Sequence, residues 1–308
     1  MNVTPKHLGY SHPHYARSLQ EFGQPIELPS CGGWILERQI PGTIYKDAMG
    51  CYPLFTCNDW VKIIDDLEDI GTNLTSLALV TDPFGDYDEA LLRHCFKEVV
   101  IPFKQHFIID LSQSPNKFAS KHHIRYARKA LAQLIVEKCE TPLDVIDSWV
   151  NLYKILTERH NIKGVSAFSR NAFVAQLEVP GIHVFRAIYN DETLGMILCY
   201  IENEVGYYHL GAYNSCGYEM RASFALFWFI IEYFASIGLR WLNLGAGAGI
   251  GADGKDGLST FKRGWATGTR TAYFCGKILD PQKYAEIVKA KGTIDTEFFP
   301  AYRKGEFE

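Results

Sequence analysis

Three runs in the second half of the chain, Ile182–Tyr189, Thr193–Ile201 and Glu204–Tyr213, come in close order and read as strands. A period of two places successive side chains on opposite faces of a strand. The joints between them, Asn190-Asp191-Glu192 and Glu202-Asn203, suit hairpin turns. A short loop, Asn214–Met220, leads into Arg221–Ile237, a segment so apolar that it reads as a buried helix. Its apolar stretch is short for a membrane span and carries Glu232. Gly238 is placed to end it. Arg240–Leu244 is the next strand, Gly245–Gly257 a glycine-rich loop, Thr260–Trp265 a short helix and Thr269–Ile278 a final strand.

Upstream, Trp34–Ile40 reads as a strand, followed by a loop carrying Asp47, Gly50, Tyr52 and Pro53. Asp59–Ile70 is an expected helix capped by Asn58. Thr75–Thr81 is a strand, Tyr87–Val99 a helix and His106–Leu111 a strand. Lys121–Leu134 is a strongly basic helix, and Leu134–Lys138 a short strand. Thr141–Asn161 is an amphipathic helix with Thr141 as its cap, and Ser169–Leu177 another helix closed by Pro180 and Gly181. The first thirty residues are polar and contain Pro5, Pro13, Pro25 and Pro29, which suggests a loosely packed arm. The tail from Lys289 is expected at the surface. The alternation defines an α/β (α+β) protein. The expected division is an arm over 1–30, one half over 31–140 and a second over 141–308 that houses the active site.

Composition narrows the function. A length of 308 residues suits one large domain or two ordinary ones, and 47% hydrophobic with 21% charged residues is globular. A net charge of −4 leaves no overall basic footprint, so a nucleic-acid partner is not favoured. None of the 8 cysteines forms a CxxC pair, which removes zinc ribbons and thioredoxin-like motifs and suits buried thiols in a reduced, cytoplasmic protein. The N-terminus has no apolar core, so it is not read as a secretory signal. No metal site is expected.

Candidate chemistry gathers at five places. At the strand-to-helix junction Tyr213–Ser223, Gly217, Met220, Arg221, Ala222 and Ser223 could form an anion site, since a helix start offers unpaired N–H groups; an ordinary connecting loop is the plain alternative. In the glycine loop, Gly249, Gly254 and Lys255 approach a Walker loop. Asp256 stands where Ser or Thr should hold magnesium, however, and the following helix is short. A loop over a ligand, with Gly245 and Gly247 approaching it closely, is the better reading. Lys262, in Phe261-Lys262-Arg263-Gly264-Trp265, could neutralise an oxyanion, or simply belong to a solvated basic turn. Alternation puts Tyr207, His209 and Tyr213 on one face, where His209 could accept a proton or be a satisfied core histidine. Lys121, Arg125 and Lys129, with Arg128 nearby, form a basic stripe on one helix that could hold a phosphate or an RNA end; a solvated face is the plain alternative. The adjacent His122 and His123 face apart and make a poor metal pair.

The hairpin strands, the loop into a buried helix, the strand ending in glycines and the Phe261–Trp265 box resemble the Gcn5-related N-acyltransferase (GNAT) fold. Within it they resemble the FemAB-like and BioF2-like branch, in which two such halves lie in tandem. Tyr45–Leu54 and the basic helix extend the resemblance into the first half. It implies tandem GNAT-like halves, each a mixed central sheet flanked by helices, and an N-acyltransferase moving an acyl or aminoacyl group from a thioester or activated ester to an amine. Phe261 and Lys262 match the family's phenylalanine–lysine pair, and Lys262 joins His209 and Tyr213 of the strand above as the catalytic candidates. Phe261, Gly245, Gly247, Asp47 and Tyr52 would contact substrate. An acyl-CoA donor would set its pyrophosphate at the Arg221 helix, although the [RQ]xxGx[GA] loop of simple acetyltransferases is missing. A transfer-RNA donor is less favoured, because no long charged coiled coil is present. The acceptor implied is a small-molecule amine or a cell-wall or polysaccharide precursor. A ligand-binding protein on a degenerate GNAT fold is the alternative.

Overall fold

The computed structural model describes residues 7–248 and 256–306. The chain opens with α1 (Pro13–Ser18), β1 (Gln24–Leu28), β2 (Gly33–Gln39), β3 (Lys46–Gly50), α2 (Ile63–Ile70), β4 (Ser76–Val80) and α3 (Glu89–Cys95). It continues through β5 (Val99–Asp110), α4 (Pro115–Phe118), α5 (Lys121–Leu131), β6 (Ile135–Cys139), α6 (Ile146–His160) and α7 (Arg170–Leu177). The hairpin strands are β7 (Ile182–Tyr189), β8 (Glu192–Glu202) and β9 (Val205–Tyr213). They lead to α8 (Ser215–Glu219), α9 (Ala222–Ser236), β10 (Trp241–Asn243), α10 (Gly257–Arg263), β11 (Gly268–Ile278) and α11 (Pro281–Lys291).

Caps explain several boundaries. Ser120, Ser169 and Asp256 each accept a backbone N–H of the first turn of α5, α7 and α10, and Gly238 (φ 85°) follows α9. Asp59, not Asn58, caps the turn before α2, by accepting from Val61. Thr141 makes no side-chain cap bond, and the helix after it begins as a 3₁₀ turn.

Two compact units arise, and they interleave instead of dividing at residue 140. The first comprises Lys104–Ile162 and Ser169–Arg270 with the chain end through Gly9; the second comprises Tyr10–Phe103, Lys163–Phe168 and Thr271–Glu308. Strands β5 and β11 each pass from one unit to the other.

In the first unit the strand order is β5-β10-β9-β8-β7-β6. The β10–β9 pair is parallel, and the pairs β5–β10, β9–β8, β8–β7 and β7–β6 are antiparallel. One sheet face carries Phe107, Ile109, Ile197, Cys199, Leu242 and Leu244, which are buried with Ala225, Leu226 and Phe227 of α9 and Ala127 of α5. Tyr200, from the other face, donates to Gln176 of α7, whose Phe173 meets Trp149 of α6 edge-on.

The second unit has the order β1-β2-β3-β4-β11, with a parallel β3–β4 pair. Ile35, Ala48, Phe55, Trp60, Leu67, Leu77 and Cys275 form its core. Three expectations are corrected here. The lead-in is not loose over its described part: Tyr15, Ala16 and Leu19 are fully buried, and β1 pairs with β2. Residues 46–50 form a strand where a loop was expected. The tail is not superficial: Tyr302 and Arg303 are buried, because Arg303 donates to both oxygens of Asp47, at 2.7 and 2.8 Å.

Candidate active site

The first unit's sheet splits. The parallel pairing of β10 with β9 ends at Asn243–Tyr207, while β9 runs on to Tyr213 against β8. Past the split, β10 gives way to Gly245, Ala246 and Gly247. Gly245 has φ 73°, a left-handed conformation that favours glycine.

Lys262 of α10 reaches this place. Its side chain is buried, its Nζ donates to the Ala246 carbonyl at 2.6 Å, and it sits 5.4 Å from the Tyr208 ring centroid. A side chain at Gly245 would start 3.3 Å from that Nζ. Among the described residues no carboxylate lies within ion-pair reach of it. Burial therefore pulls the Lys262 ammonium down to about 7; Asp256 partly opposes this, and Lys104 adds to it. Asp256 is held by the turn it caps: it accepts from the Ser259 backbone at 2.9 Å and from its hydroxyl. A Cβ at Gly247 would strike the Ser259 hydroxyl, so this glycine lets loop and helix touch. The other glycine-loop residues singled out, Gly249, Gly254 and Lys255, lie outside the described residues.

The shared face expected for His209 and Tyr213 does not form. The β8–β9 register slips at Leu198/Cys199, which pair with Leu210 and Tyr208 and leave His209 as an extra residue. Such a bulge reverses the alternation. Tyr208 and Tyr213 therefore face α9 with Ile197 and Cys199, whereas His209 lies against Tyr200 and Gln176 on the other side. Burial drives the His209 imidazolium down to about 3, so it is a neutral core histidine. Tyr213 is buried too, with a hydroxyl that has no hydrogen-bond partner among the described residues.

A different histidine stands at the split. His106 of β5 is buried, with Nδ1 3.1 Å from Asn243 Oδ1 at the end of β10. The same Oδ1 accepts the Gly245 N–H at 2.8 Å. His106, Asn243, Gly245 and Lys262 thus form one contiguous run. The sequence marks His106 only as a residue of an expected strand; its partner is 137 positions away.

Phe261 points away from Nζ into an aromatic cluster with His123, Phe224 and Phe227. His123 receives the Ser120 hydroxyl on Nδ1 and donates from Nε2 to the Phe261 carbonyl, which ties α5 to the helix carrying Lys262. Gly264 is glycine because a Cβ there would occupy the His123 ring. On α5, Lys121, Arg125, Arg128 and Lys129 are exposed.

The expected anion site is partly reassigned. Gly217 packs against the Leu194 carbonyl and gives its N–H to Asn214 at 2.8 Å. The Met220 N–H is used by Cys216. Arg221 precedes α9 in a left-handed conformation (φ 59°), and its guanidinium lies 3.6 Å from the Tyr126 centroid. No side chain caps α9, so Ala222 and Ser223 stand at an uncapped helix start.

Asp47 and Tyr52 belong to the second unit. Asp47 is wholly buried; it binds Arg303, accepts from the Tyr302 hydroxyl at 3.1 Å and lies 3.6 Å from Arg38 Nε. With its oxygens occupied, it is a structural carboxylate and not a substrate ligand. The Tyr52 carbonyl accepts from Tyr15 at 2.6 Å. Among the described residues no metal-binding cluster occurs, and no helix is long and apolar enough to cross a membrane.

Residues 119–263 match the family described as Acetyltransferase (GNAT) domain. The fold is similar to that of FemX, at 14% identity and a TM-score of 0.66 over 89% of this chain and 93% of that one. It is also similar to the C-terminal domain of a putative lysylphosphatidylglycerol synthetase from Agrobacterium fabrum, at 14% identity and a TM-score of 0.60 over 89% of this chain and 90% of that one. A third similar structure is L-PGS from Bacillus licheniformis, at 13% identity and a TM-score of 0.54 over 92% of this chain and 97% of that one. At such identities the likeness concerns the fold. No curated protein matches the sequence significantly.

Proposed function

We propose that the protein, whose residues 119–263 match the GNAT domain family and whose fold is similar to that of FemX, acts as an N-acyltransferase of the FemAB-like kind. It moves an acyl or aminoacyl group from a thioester or activated ester to an amine. The observation that carries this reading is Lys262, a buried lysine with no carboxylate in ion-pair reach among the described residues, at the split between β9 and β10. A buried cation that no carboxylate pairs gains most when negative charge develops next to it. The carbonyl oxygen of an acyl group under attack develops such charge.

Acyl-CoA is one donor that fits. Arg221 and the N–H groups of Ala222 and Ser223 at the uncapped start of α9 would hold its pyrophosphate. Bound coenzyme A would supply the thioester and leave as a thiol. The glycine-rich phosphate loop of simple acetyltransferases is replaced by α8, which favours keeping aminoacyl esters among the donors. One similar structure is the C-terminal domain of a putative lysylphosphatidylglycerol synthetase, whose product would be aminoacylated. The acceptor is an amine on a small molecule or on a cell-wall or polysaccharide precursor. The eight free cysteines fit the reducing cytoplasm.

The test incubates the protein with acetyl-CoA, longer acyl-CoA thioesters or aminoacyl esters and a panel of amines, and follows release of the leaving group. Amide formation that is lost in Lys262→Met supports the reading. Release of no leaving group with any pair, together with donor-induced thermal stabilisation, would instead establish a binding protein on this fold. That second reading rests on the committed Gly217.

A further inference from the structure

We infer that His106 is the proton acceptor of the transfer step and that Asn243 is its positioning residue. The inference rests on the acyl-transfer reading above.

Asn243 Oδ1 is identified as oxygen because it accepts the Gly245 N–H. Its contact with His106 Nδ1 at 3.1 Å therefore requires a proton on Nδ1, and the lone pair is on Nε2. Among the described residues Nε2 has no hydrogen-bond partner. His123, by contrast, uses both ring nitrogens. His106 thus combines a fixed tautomer, a lone pair that no described residue uses and a place beside the Lys262 loop.

The charged groups around it are Lys104 on its own strand and Lys262 on α10, both of which disfavour a second positive charge; Asp256 acts on the two lysines. Burial is the largest influence, and together they hold His106 at about 4, so it is the free base at neutral pH.

The step balances as follows. The amine nitrogen bonds to the acyl carbon, the carbonyl π pair moves to oxygen beside Lys262, and the nitrogen's proton passes to Nε2. The oxyanion then collapses and the bond to the thiol or alcohol breaks. The leaving group takes the proton back from Nε2. The products are an amide and a free thiol or alcohol.

The test uses the full chain with acetyl-CoA or phenyl thioacetate as donor and, as acceptor, an electron-poor arylamine whose own conjugate acid ionises well below the His106 value of about 4. In His106→Asn the amide can still donate to Asn243, but no base remains. Its kcat should fall about 10²–10⁴-fold with KM little changed. The wild-type rate should rise with pH through about 4, the His106 value, and this limb should vanish in His106→Asn. Asn243→Asp should move the limb to higher pH, because an anion beside Nδ1–H favours the imidazolium. Nitrogen-15 spectra of histidine should show His106 protonated on Nδ1 and bare on Nε2 at neutral pH. A folded His106→Asn with wild-type kcat, a limb indifferent to Asn243→Asp, or a proton on Nε2 would each overturn the inference alone. Absence of transfer from every donor would remove the acyl-transfer reading and this inference with it. If His106→Asn does not fold, Asn243→Asp and the spectra decide.

Discussion

Lys262 in the first unit and Arg303 in the second are both buried cations, and the two units treat them oppositely. Burial works against the charge in each. For Arg303 the two bonds to Asp47 and its charge more than offset burial, so the guanidinium is held above its ordinary value. For Lys262 the bonding partner is a carbonyl, and burial prevails. A closed ion pair is complete, whereas an ammonium that no described carboxylate pairs leaves a strong electrostatic demand open. The comparison separates a cation whose charge is met within the fold from one that, under the proposed function, would meet a ligand's charge.

The largest expected effect on activity is in Lys262→Met, with kcat lowered about 10²–10³-fold. The same substitution should raise the thermal midpoint at pH 7, since it removes a buried charge. Asp47→Ala should do the reverse of that second effect. It strands Arg303, and unfolding by urea should show a loss of about 3–5 kcal/mol. If Asp47→Ala were as stable as the wild type, the contrast would collapse.

Linkage sharpens the contrast. Lys262 titrates at about 7 when folded and ordinarily at 10.5, so between those values the unfolded chain binds more protons. Stability should therefore rise with pH across that window, and the advantage of Lys262→Met should shrink. Midpoints that keep their separation from pH 7 to 10 would contradict this. A smaller effect is expected for Gly264→Ala, which pushes a methyl into the His123 ring; chemical denaturation should show about 1–3 kcal/mol of destabilisation.

How much of this was legible depends on the range of the interaction. The hairpin strands 182–213 were readable to within a residue or two, because turn residues and strand runs are local. Lys262 and Phe261 were singled out through their resemblance to a family pair, and only the packing shows that Lys262 reaches the end of β10 while Phe261 joins an aromatic cluster. The bulge at His209 was not, since one extra residue leaves the apolar–polar pattern nearly unchanged while turning the side chain to the other face. Asp47 looked like a loop carboxylate because Arg303 is 256 positions away. His106 acquires meaning only from Asn243, and Gly264 only from His123. These pairings are set by tertiary packing, which no short window contains.

The central claim is that Lys262 works as an ammonium. Its most direct test is the pH dependence of kcat/KM with an arylamine acceptor, whose nitrogen stays unprotonated around neutrality. The rate should fall as pH rises through about 7, where Lys262 loses its proton. A rate that instead rises through this range would make neutral Lys262 a base and contradict the account.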